Sequence, residues 1–229
     1  MNWNLSFKSF IRAITPPVIL QIINKTHFVL RQNLTRQKEL SSYSEQYYNL
    51  YFDSNSRWRL HYSDSSYYFL WAIIADRICR DKITSVLDIG CGSGQLALLL
   101  HDKGLSNYCG IDFSMNMIDW AKHQCPDYTF IYGDVFNTEL FKTKKYDVVV
   151  STEFLEHVNQ DLEVIKRIPK GTKFYGSVPN FPAKGHVRYF INTDEVTDRY
   201  KKYFNNFSVE AYKKDKLNLI LYIIEGIKK

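Results

Sequence analysis

From residue 83 onward, short β-branched and apolar runs alternate with stretches whose apolar positions repeat every three or four residues. The first pattern is typical of buried strands and the second of amphipathic helices. Together they predict strands over 83–89, 107–112, 128–134, 146–151, 172–180, 207–214 and 217–227, and helices over 94–104, 114–124, 156–168 and 193–204. This alternation indicates an α/β fold with a doubly wound, mainly parallel sheet of seven strands, the last of them antiparallel. Ligands of such sheets bind at the carboxyl ends of the strands.

The first 75 residues follow a different pattern and are predicted to form a helical, aromatic-rich extension or lid. Residues 1–35 carry apolar positions at helical spacing, with a break at Pro16-Pro17. Residues 40–75 are dense in aromatic side chains and contain neither glycine nor proline, which favours helix. The chain is therefore divided into an extension, residues 1–75, and a ligand-binding domain, residues 76–229.

The net charge of +6 is concentrated at the N-terminus, because residues 1–38 contain six basic side chains and no acid. The charges of the remainder cancel, which argues against a nucleic-acid partner. A basic amphipathic helix can lie on an anionic membrane surface, or it can pack against its own domain or a partner subunit. The wide spacing of the basic residues favours packing.

The cysteines are scattered, without a CxxC pair, and are expected to be reduced thiols of a cytoplasmic protein. No apolar run approaches the ~20 residues of a membrane span, and the first residues lack the pattern of a signal peptide. The oligomeric state is not encoded in any pattern of the sequence.

The stretch VLDIGCGSGQ, residues 86–95, joins the first predicted strand to a helix. Gly90, Gly92 and Gly94 allow a sharp turn and a close approach of the backbone to a ligand. The helix start offers free N–H groups to a carboxylate or phosphate. A dinucleotide fingerprint would need glycine at position 95, where Gln95 stands, and a Walker loop would need G-K-[ST]. The turn matches neither pattern.

Acidic residues end three successive predicted strands, at Asp88, Asp112 and Asp134. Asp112 lies where an acid reaches a ribose hydroxyl in βαβ nucleotide sites. Asp134 is placed to meet an adenine edge, and Asp88 to accept from loop amides or a charged amino group. Each acid alone could be a cap or a turn-former, but together they indicate a nucleoside site.

These residues resemble the motifs of class I S-adenosylmethionine-dependent methyltransferases. VLDIGCGSG is similar to their first motif, Asp112 to the ribose-binding acid and Gly133-Asp134 to the adenine-side motif. The fourth strand and the helix after it resemble YDVVVSTEFLEHV of this chain. The fifth strand and its exit loop resemble VPN followed by HVRYF. The resemblance covers roughly residues 80–225 and implies a Rossmann-like fold that binds S-adenosylmethionine. The cofactor-binding residues it implies are Asp88, Gly90, Cys91, Gly92, Gly94, Asp112, Phe113, Met117, Gly133, Asp134, Val135, Thr152 and Glu153.

The implied reaction is a direct attack on the methyl carbon of a sulfonium, for which alignment supplies much of the catalysis. Glu156, His157 and His186 are the expected catalytic residues, on the exits of the fourth and fifth strands. Glu153, Glu156 and His157 would share one helical face if the helix has begun there. With His186 they could hold Mn²⁺ or Mg²⁺, a set similar to that of the small-RNA 3′-end methyltransferases. Alternatively, a histidine serves as base or shapes the pocket without a metal.

The expected acceptor is a small polar molecule, such as a sugar, a phosphorylated compound or a glycan precursor, methylated on O or N. Tyr62, Asn180, Arg188 and Tyr189 are the expected acceptor-binding residues, because arginine can grip an anion bidentately and the 56–62 stretch suits a lid. A faint likeness of the N-terminal segment to methyltransferases of surface-polysaccharide biosynthesis fits this view. The alternatives are a metal-assisted RNA methyltransferase and a non-catalytic cofactor-binding subunit, with a dehydrogenase further behind.

Overall fold

The computed structural model describes residues 43–143, 146–214 and 219–229. The predicted helix over residues 1–35 lies outside them. The described helices are α1 (Glu45–Ser54), α2 (Tyr68–Arg80), α3 (Gln95–Asp102), α4 (Met115–Gln124), α5 (Leu140–Thr143), α6 (Asp161–Arg167) and α7 (Thr193–Tyr200). Short 3-10 turns occupy Ser56–Arg59, Tyr62–Asp64 and Lys201–Tyr203. None of these helices is both long and apolar enough to cross a bilayer.

The described strands form one seven-stranded sheet in the order β3-β2-β1-β4-β5-β7-β6. They are β1 (Ser85–Ile89), β2 (Asn107–Asp112), β3 (Thr129–Tyr132), β4 (Val148–Ser151), β5 (Lys173–Pro179), β6 (Phe204–Lys213) and β7 (Ile220–Lys228). The pairs among β1 to β5 are parallel, whereas β7 runs antiparallel to both β5 and β6. The predicted Rossmann-like, doubly wound fold with an antiparallel last strand is confirmed.

The two central strands carry apolar residues on both faces because helices cover both faces of the sheet. Val86, Val148 and Val150 point into the core beneath α2 and α3. Leu87 and Val149 point into the core on the opposite face, which α6 and α7 cover. A continuous β-branched run is what a parallel strand buried on both faces requires.

Helix α2 packs directly on the sheet. Leu70, Ile74 and Ile78 are fully buried and belong to the same core cluster as Val86 of β1. Residues 41–229 form one compact unit. The domain boundary predicted at residue 75 thus falls inside α2, a helix that contributes to the core of the sheet domain.

The segment after β4 departs from the predicted helix over 156–168. Residues 152–160 form turns and bends, and α6 begins only at Asp161. Glu153 has a φ of 52°, in the left-handed region that interrupts a right-handed helix. The helical face expected for Glu153, Glu156 and His157 is therefore wrong, although this stretch still borders the carboxyl ends of the strands.

Asp161 forms a buried charged cluster that ties α6 to α7. Its side chain is fully buried and accepts two hydrogen bonds from Arg199, at 2.8 and 2.7 Å, and one from Tyr200 at 2.7 Å. Arg188 lies 3.3 Å from the same carboxylate. Removing one partner of such a cluster leaves buried charges unpaired.

We expect Asp161→Asn to lower the free energy of unfolding by about 3 kcal/mol, because both arginines would lose their counter-charge. Denaturant unfolding measures this loss. The matched control is Glu163→Gln, whose exposed ion pair with Lys166 contributes little. Equal stability losses in the two variants would contradict a structural role for Asp161.

Candidate functional site

A cavity of about 680 Å³ opens at the carboxyl ends of β1 to β4. Its volume lies within the range of small-molecule and cofactor sites. The predicted cofactor-binding residues on its wall are Asp88, Gly90, Cys91, Gly92, Asp112, Phe113, Met117, Gly133, Asp134, Val135, Thr152 and Glu153. Gly94, the remaining residue of that set, caps α3 and is not among the lining residues.

Two glycines of the turn, Gly90 and Gly94, leave no room for a side chain. Gly90 and Gly94 have φ values of 74° and 79°, in the region that favours glycine. A Cβ on Gly90 would lie 2.5 Å from the ring of Phe154, and one on Gly94 would lie 2.9 Å from Ala121. The backbone of the turn can thus pass close to Phe154, in the segment after β4, on one side and to Ala121 of α4 on the other.

Asp112 is fixed by the backbone of that turn. One carboxylate oxygen accepts from the N–H of Gly92 at 3.0 Å, and the other accepts from the N–H of Ser114 at 2.9 Å. Burial raises the pKa of Asp112, and these two amides oppose the rise. Each oxygen keeps a further acceptor position, so the carboxylate can still accept from a neighbouring diol.

The other two acids differ in environment. Asp88 is buried, and one of its oxygens accepts from the hydroxyl of Tyr108 at 2.6 Å. Its second oxygen has no hydrogen-bond partner among the described residues, and burial raises its pKa to about 7. Asp134 accepts from the N–H of Phe136 and the amide of Asn137, both at 2.9 Å. It therefore shapes its turn as well as lining the cavity.

Glu156, His157 and His186 converge on the opposite side of the cavity. One ligand atom from each lies within 4.8 Å of the others, and the two imidazole rings are nearly perpendicular, with centroids 4.7 Å apart. His157 and His186 line the cavity, whereas Glu156 lies behind them. Glu156 is fully buried, and neither of its carboxylate oxygens has a hydrogen-bond partner among the described residues.

Backbone carbonyls set the orientation of both imidazoles. The Nδ1 of His157 lies 3.0 Å from the carbonyl of Gly185, and that of His186 lies 3.1 Å from the carbonyl of Phe181. Because a carbonyl only accepts, a hydrogen bond to it requires the proton on Nδ1, which leaves a lone pair on Nε2. The hydroxyl oxygen of Tyr48, 2.9 Å from the same Nδ1 of His157, then accepts from it as well. The Nε2 of His157 is 3.9 Å from Glu156. Histidines that bind metals show this pairing of a held Nδ1 and an available Nε2.

Glu153 belongs to a separate polar group. Its carboxylate accepts from the hydroxyl of Ser177 at 2.9 Å. The backbone N–H of Glu153 donates to the hydroxyl oxygen of the same serine, also at 2.9 Å. Burial raises the pKa of Glu153 to about 7, opposed by Ser177, Lys214 and Tyr67. Glu153 is not part of the three-residue cluster that could hold a metal.

We expect both site imidazoles to stay neutral at mildly acidic pH. Burial lowers the pKa of His157 to about 3 and that of His186 to about 4. Below about pH 6.5 the unfolded chain binds protons on these two histidines that the folded chain does not bind. The free energy of unfolding therefore decreases as the pH falls from about 6.5 towards 4. Imidazole NMR should show no titration of either ring between about pH 8 and 5.5. A midpoint near 6.5 for either ring would contradict the burial of this site.

The predicted acceptor-binding residues do not reach the cavity wall. The hydroxyl of Tyr62 donates to Asp102 at 2.7 Å, and the side chain of Asn180 accepts from the N–H of Ile220 at 2.7 Å. Arg188 donates to the carbonyls of Leu155, Val158 and Asn159. Tyr189 is buried and is likewise absent from the lining residues. The geometry therefore gives no support to acceptor contacts from these four residues.

Other residues line the side of the cavity that carries His157 and His186. Tyr67 and Lys214 both reach the wall, and the ammonium of Lys214 lies 3.5 Å from the centroid of the Tyr67 ring. Gln95 donates to the carbonyls of Arg57 at 3.3 Å and Leu60 at 2.8 Å. Gln95 stands where a dinucleotide fingerprint would need glycine. Its side chain thus holds the aromatic segment over the glycine turn. Only the density of rings in residues 40–75 signalled this wall in the sequence.

The methyltransferase domain family matches residues 86–173 of the chain. The match marks residues 86–173 as a methyltransferase domain, and the comparisons together support a class I S-adenosylmethionine-dependent methyltransferase. Among curated proteins, the domain is similar to the ubiquinone biosynthesis O-methyltransferase of Actinobacillus pleuropneumoniae serotype 7 (strain AP76), with 31% identity over 124 residues, which is 48% of this chain and 52% of that protein. It is also similar to the putative methyltransferase 235L of Invertebrate iridescent virus 6, with 32% identity over 148 residues, 61% of this chain and 52% of that protein. The chain spans about half the length of these relatives.

Solved methyltransferases share the fold. The magnesium protoporphyrin IX methyltransferase ChlM of Synechocystis PCC 6803, solved with bound SAH, superposes with a TM-score of 0.61 at 17% identity, covering 81% of this chain and 100% of that chain. The methyltransferase domain of bacterial CtHen1 superposes with a TM-score of 0.52 at 18% identity, covering 69% of this chain and 97% of that one.

Proposed function

We propose that the cavity binds S-adenosylmethionine and that the protein transfers its methyl group to an O or N of a small acceptor. The observation that carries this proposal is Asp112, whose two oxygens are aligned by the amides of Gly92 and Ser114 while the glycine turn passes beside it. Such a carboxylate is suited to accept from both hydroxyls of a ribose. The ubiquinone biosynthesis O-methyltransferase and the putative methyltransferase 235L, to which the domain is similar, support the same chemistry.

The rest of the cofactor follows from this placement. The ribose on Asp112 puts the adenine beside Phe113, Asp134 and Val135, which line the next part of the wall. The methionine portion then lies along the glycine turn, where the unpartnered oxygen of Asp88 can accept from its ammonium group. The methyl group faces the side that carries His157 and His186.

The acceptor side combines rings with positive charges. Its rings are Tyr43, Tyr47, Tyr51, Trp58, Tyr67, Trp71 and Phe181. Arg57, Lys184 and Lys214 lie among them. Rings stack on the faces of sugars and phenols, and cations hold carboxylate or phosphate groups. An anionic sugar, phosphorylated compound or glycan precursor fits this wall, and the ubiquinone biosynthesis O-methyltransferase relatives favour an oxygen as the atom that is methylated.

In the proposed reaction the acceptor oxygen or nitrogen attacks the methyl carbon while the carbon–sulfur bond breaks and its electrons remain on sulfur. The enzyme's main contribution is to hold the two reacting atoms in line at about 3–3.5 Å. An acceptor hydroxyl must lose its proton, and the Nε2 lone pair of His157 or His186 is available to take it. Burial and the neighbouring Glu153 raise the pKa of Glu156 well above its usual value. A positive charge on the imidazole of His157, 3.9 Å away, would favour the ionised form of Glu156, which in turn would stabilise the imidazolium.

Glu156, His157 and His186 also fit a divalent cation such as Mn²⁺ or Mg²⁺. The orphaned carboxylate of Glu156 and the two Nε2 lone pairs form a mixed donor set within coordinating reach after small side-chain movements. When bound, the ion would lower the pKa of an acceptor hydroxyl. Glu153, the fourth ligand expected from the sequence, is instead held by Ser177.

We expect Mn²⁺ to raise the thermal midpoint of the purified protein by binding the folded state, and EDTA to reverse the rise. The variant Glu156→Gln should remove the response. The control is Glu139→Gln, an exposed acid paired with Lys142. An identical response in wild type and Glu156→Gln would exclude this cluster as the metal site, leaving the metal-free base mechanism.

The function is tested by incubating the protein with labelled S-adenosylmethionine and a panel of sugar, phosphorylated and phenolic acceptors. SAH release together with a labelled small-molecule product supports the proposal. Label transferred instead to RNA, with binding that weakens steeply as salt rises, would favour the metal-assisted RNA methyltransferase. Cofactor binding without transfer to any acceptor would favour a non-catalytic subunit.

A further inference from the structure

Helix α1 links the two halves of the cavity through polar contacts. On one side it touches the turn that carries Asp112, and on the other it touches His157. Neighbouring residues of the helix, Tyr48 and Asn49, make these two contacts. The cofactor half and the acceptor half of the proposed methyltransferase site are therefore joined by one short element.

Asn49 forms the contact on the cofactor side. Its side-chain oxygen accepts from the hydroxyl of Ser114 at 2.7 Å and from the N–H of Asn116 at 3.3 Å. Ser114 donates its own N–H to Asp112 at 2.9 Å. One residue thus separates Asn49 from the carboxylate proposed to hold the ribose, and any reorientation of Asp112 reaches Asn49 through Ser114.

Tyr48 forms the contact on the acceptor side. Its hydroxyl oxygen lies 2.9 Å from the Nδ1 of His157, and its ring packs edge-on against Phe113 with centroids 5.2 Å apart. A Cβ on Gly185 would lie 3.0 Å from this hydroxyl and 3.1 Å from His157, so the loop approaches the pair closely.

Little apolar burial holds α1 in place. Phe52 is its buried residue, whereas Leu50 is 69% exposed. Further ties to the body of the domain are polar: Glu45 accepts from the hydroxyl of Tyr132 at 2.9 Å, and Asp53 accepts from the side-chain amide of Asn116 at 3.0 Å. An element with few buried apolar contacts opens at low free-energy cost, so a ligand that strengthens its polar contacts can order it.

We propose that Tyr48 and Asn49 are positioning residues that couple the two halves of the site. When the cofactor binds Asp112, the hydrogen bonds that join Asn49 to the turn after Asp112 become stronger. These contacts order α1 over the cavity. Tyr48 then holds the imidazole of His157 with its proton on Nδ1 and its Nε2 towards the acceptor. This inference rests on the proposed function, because it takes Asp112 as the ribose-binding residue.

Hydrogen exchange of residues 45–54, with and without saturating SAH, tests the cofactor side. We expect SAH to slow exchange there by about tenfold in wild type. Asn49→Ala should lose most of this protection while its affinity for SAH, measured by calorimetry, stays within about threefold. Asn49→Asp keeps the accepting oxygen and should retain the protection. The control Leu50→Ala alters an exposed position of the same helix and should behave as wild type.

The acceptor side is tested by ¹⁵N NMR of the imidazoles in the SAH complex. Tyr48→Phe should shift the Nδ1 resonance of His157 and leave SAH affinity unchanged. Tyr47→Phe, the matched loss of a hydroxyl on the same helix, should leave that resonance in place. SAH binding with unchanged exchange of residues 45–54, or equal effects of Tyr48→Phe and Tyr47→Phe, would overturn the coupling and leave the proposed function standing. A failure of SAH to bind wild type would remove both.

Discussion

Replacing Asp112 by alanine is expected to weaken S-adenosylmethionine binding by about 100-fold. The carboxylate is proposed to accept from both ribose hydroxyls, and two charge-assisted hydrogen bonds contribute about 3 kcal/mol together. The side chain also accepts from Gly92 and Ser114, so its removal loosens the turn that faces the cofactor. Calorimetric titration of wild type and variant with S-adenosylmethionine measures the loss.

Two further variants separate the ribose contact from a general loss of structure. Asp112→Asn keeps the shape and one accepting oxygen, and should bind with an affinity between those of wild type and the alanine variant. Asp119→Ala removes an exposed acid from the nearby helix α4 and should bind as wild type does. An unchanged affinity in Asp112→Ala would show that the ribose lies elsewhere.

The second large effect is expected from the two histidines on the acceptor side. His157→Ala and His186→Ala should each lower turnover by about 100-fold or more, whether the imidazole takes a proton or holds an ion. Their affinity for S-adenosylmethionine should stay within about threefold, because the contacts of Asp112 are unchanged. SAH release with an acceptor found by the screen, together with calorimetry, separates the two quantities.

His123→Ala is the matched control, because His123 is exposed on α4. It should keep both turnover and affinity. A loss of cofactor affinity equal to the loss of turnover in His157→Ala would contradict the division of the cavity into a cofactor side and an acceptor side.

The lining of the proposed cofactor half of the cavity could be predicted from the sequence because it is built from local patterns. Gly90, Asp112 and Asp134 each follow a strand that the apolar runs reveal, and the carboxyl ends of neighbouring parallel strands meet at one edge. The seven strands, their helices and the antiparallel β7 follow from the same periodicity.

Apart from His157 and His186, the residues on the proposed acceptor half could not be predicted because their contacts join distant parts of the chain. Tyr48 lies 109 positions before His157, and the density of rings in that segment does not specify which ring faces the cavity. Arg188 has the residue type of an anion-binding group, but its guanidinium satisfies three backbone carbonyls and Asp161. Spacing along the chain does not distinguish these two uses of an arginine.

The segment after β4 is a further part of the fold that the sequence pattern did not predict. A sequence such as EFLEHVNQDLEVIKRI has helical periodicity, yet the chain turns at Glu153 before α6 starts. The turn places Glu153 beside Ser177 and sends Glu156 and His157 towards His186. Tertiary contacts with the 180–188 loop, including the bond from the N–H of Val187 to the carbonyl of Glu156 at 2.7 Å, stabilise a conformation that local propensity does not favour.

The claim that the cavity binds S-adenosylmethionine is tested most directly by a calorimetric titration of the purified wild-type protein with SAH, repeated with NAD. We predict saturable binding of SAH at a single site and no detectable binding of NAD at the same concentrations. Binding of NAD in preference to SAH, or no heat from SAH at millimolar concentration, would contradict the claim that this cavity holds the sulfonium nucleoside and its by-product.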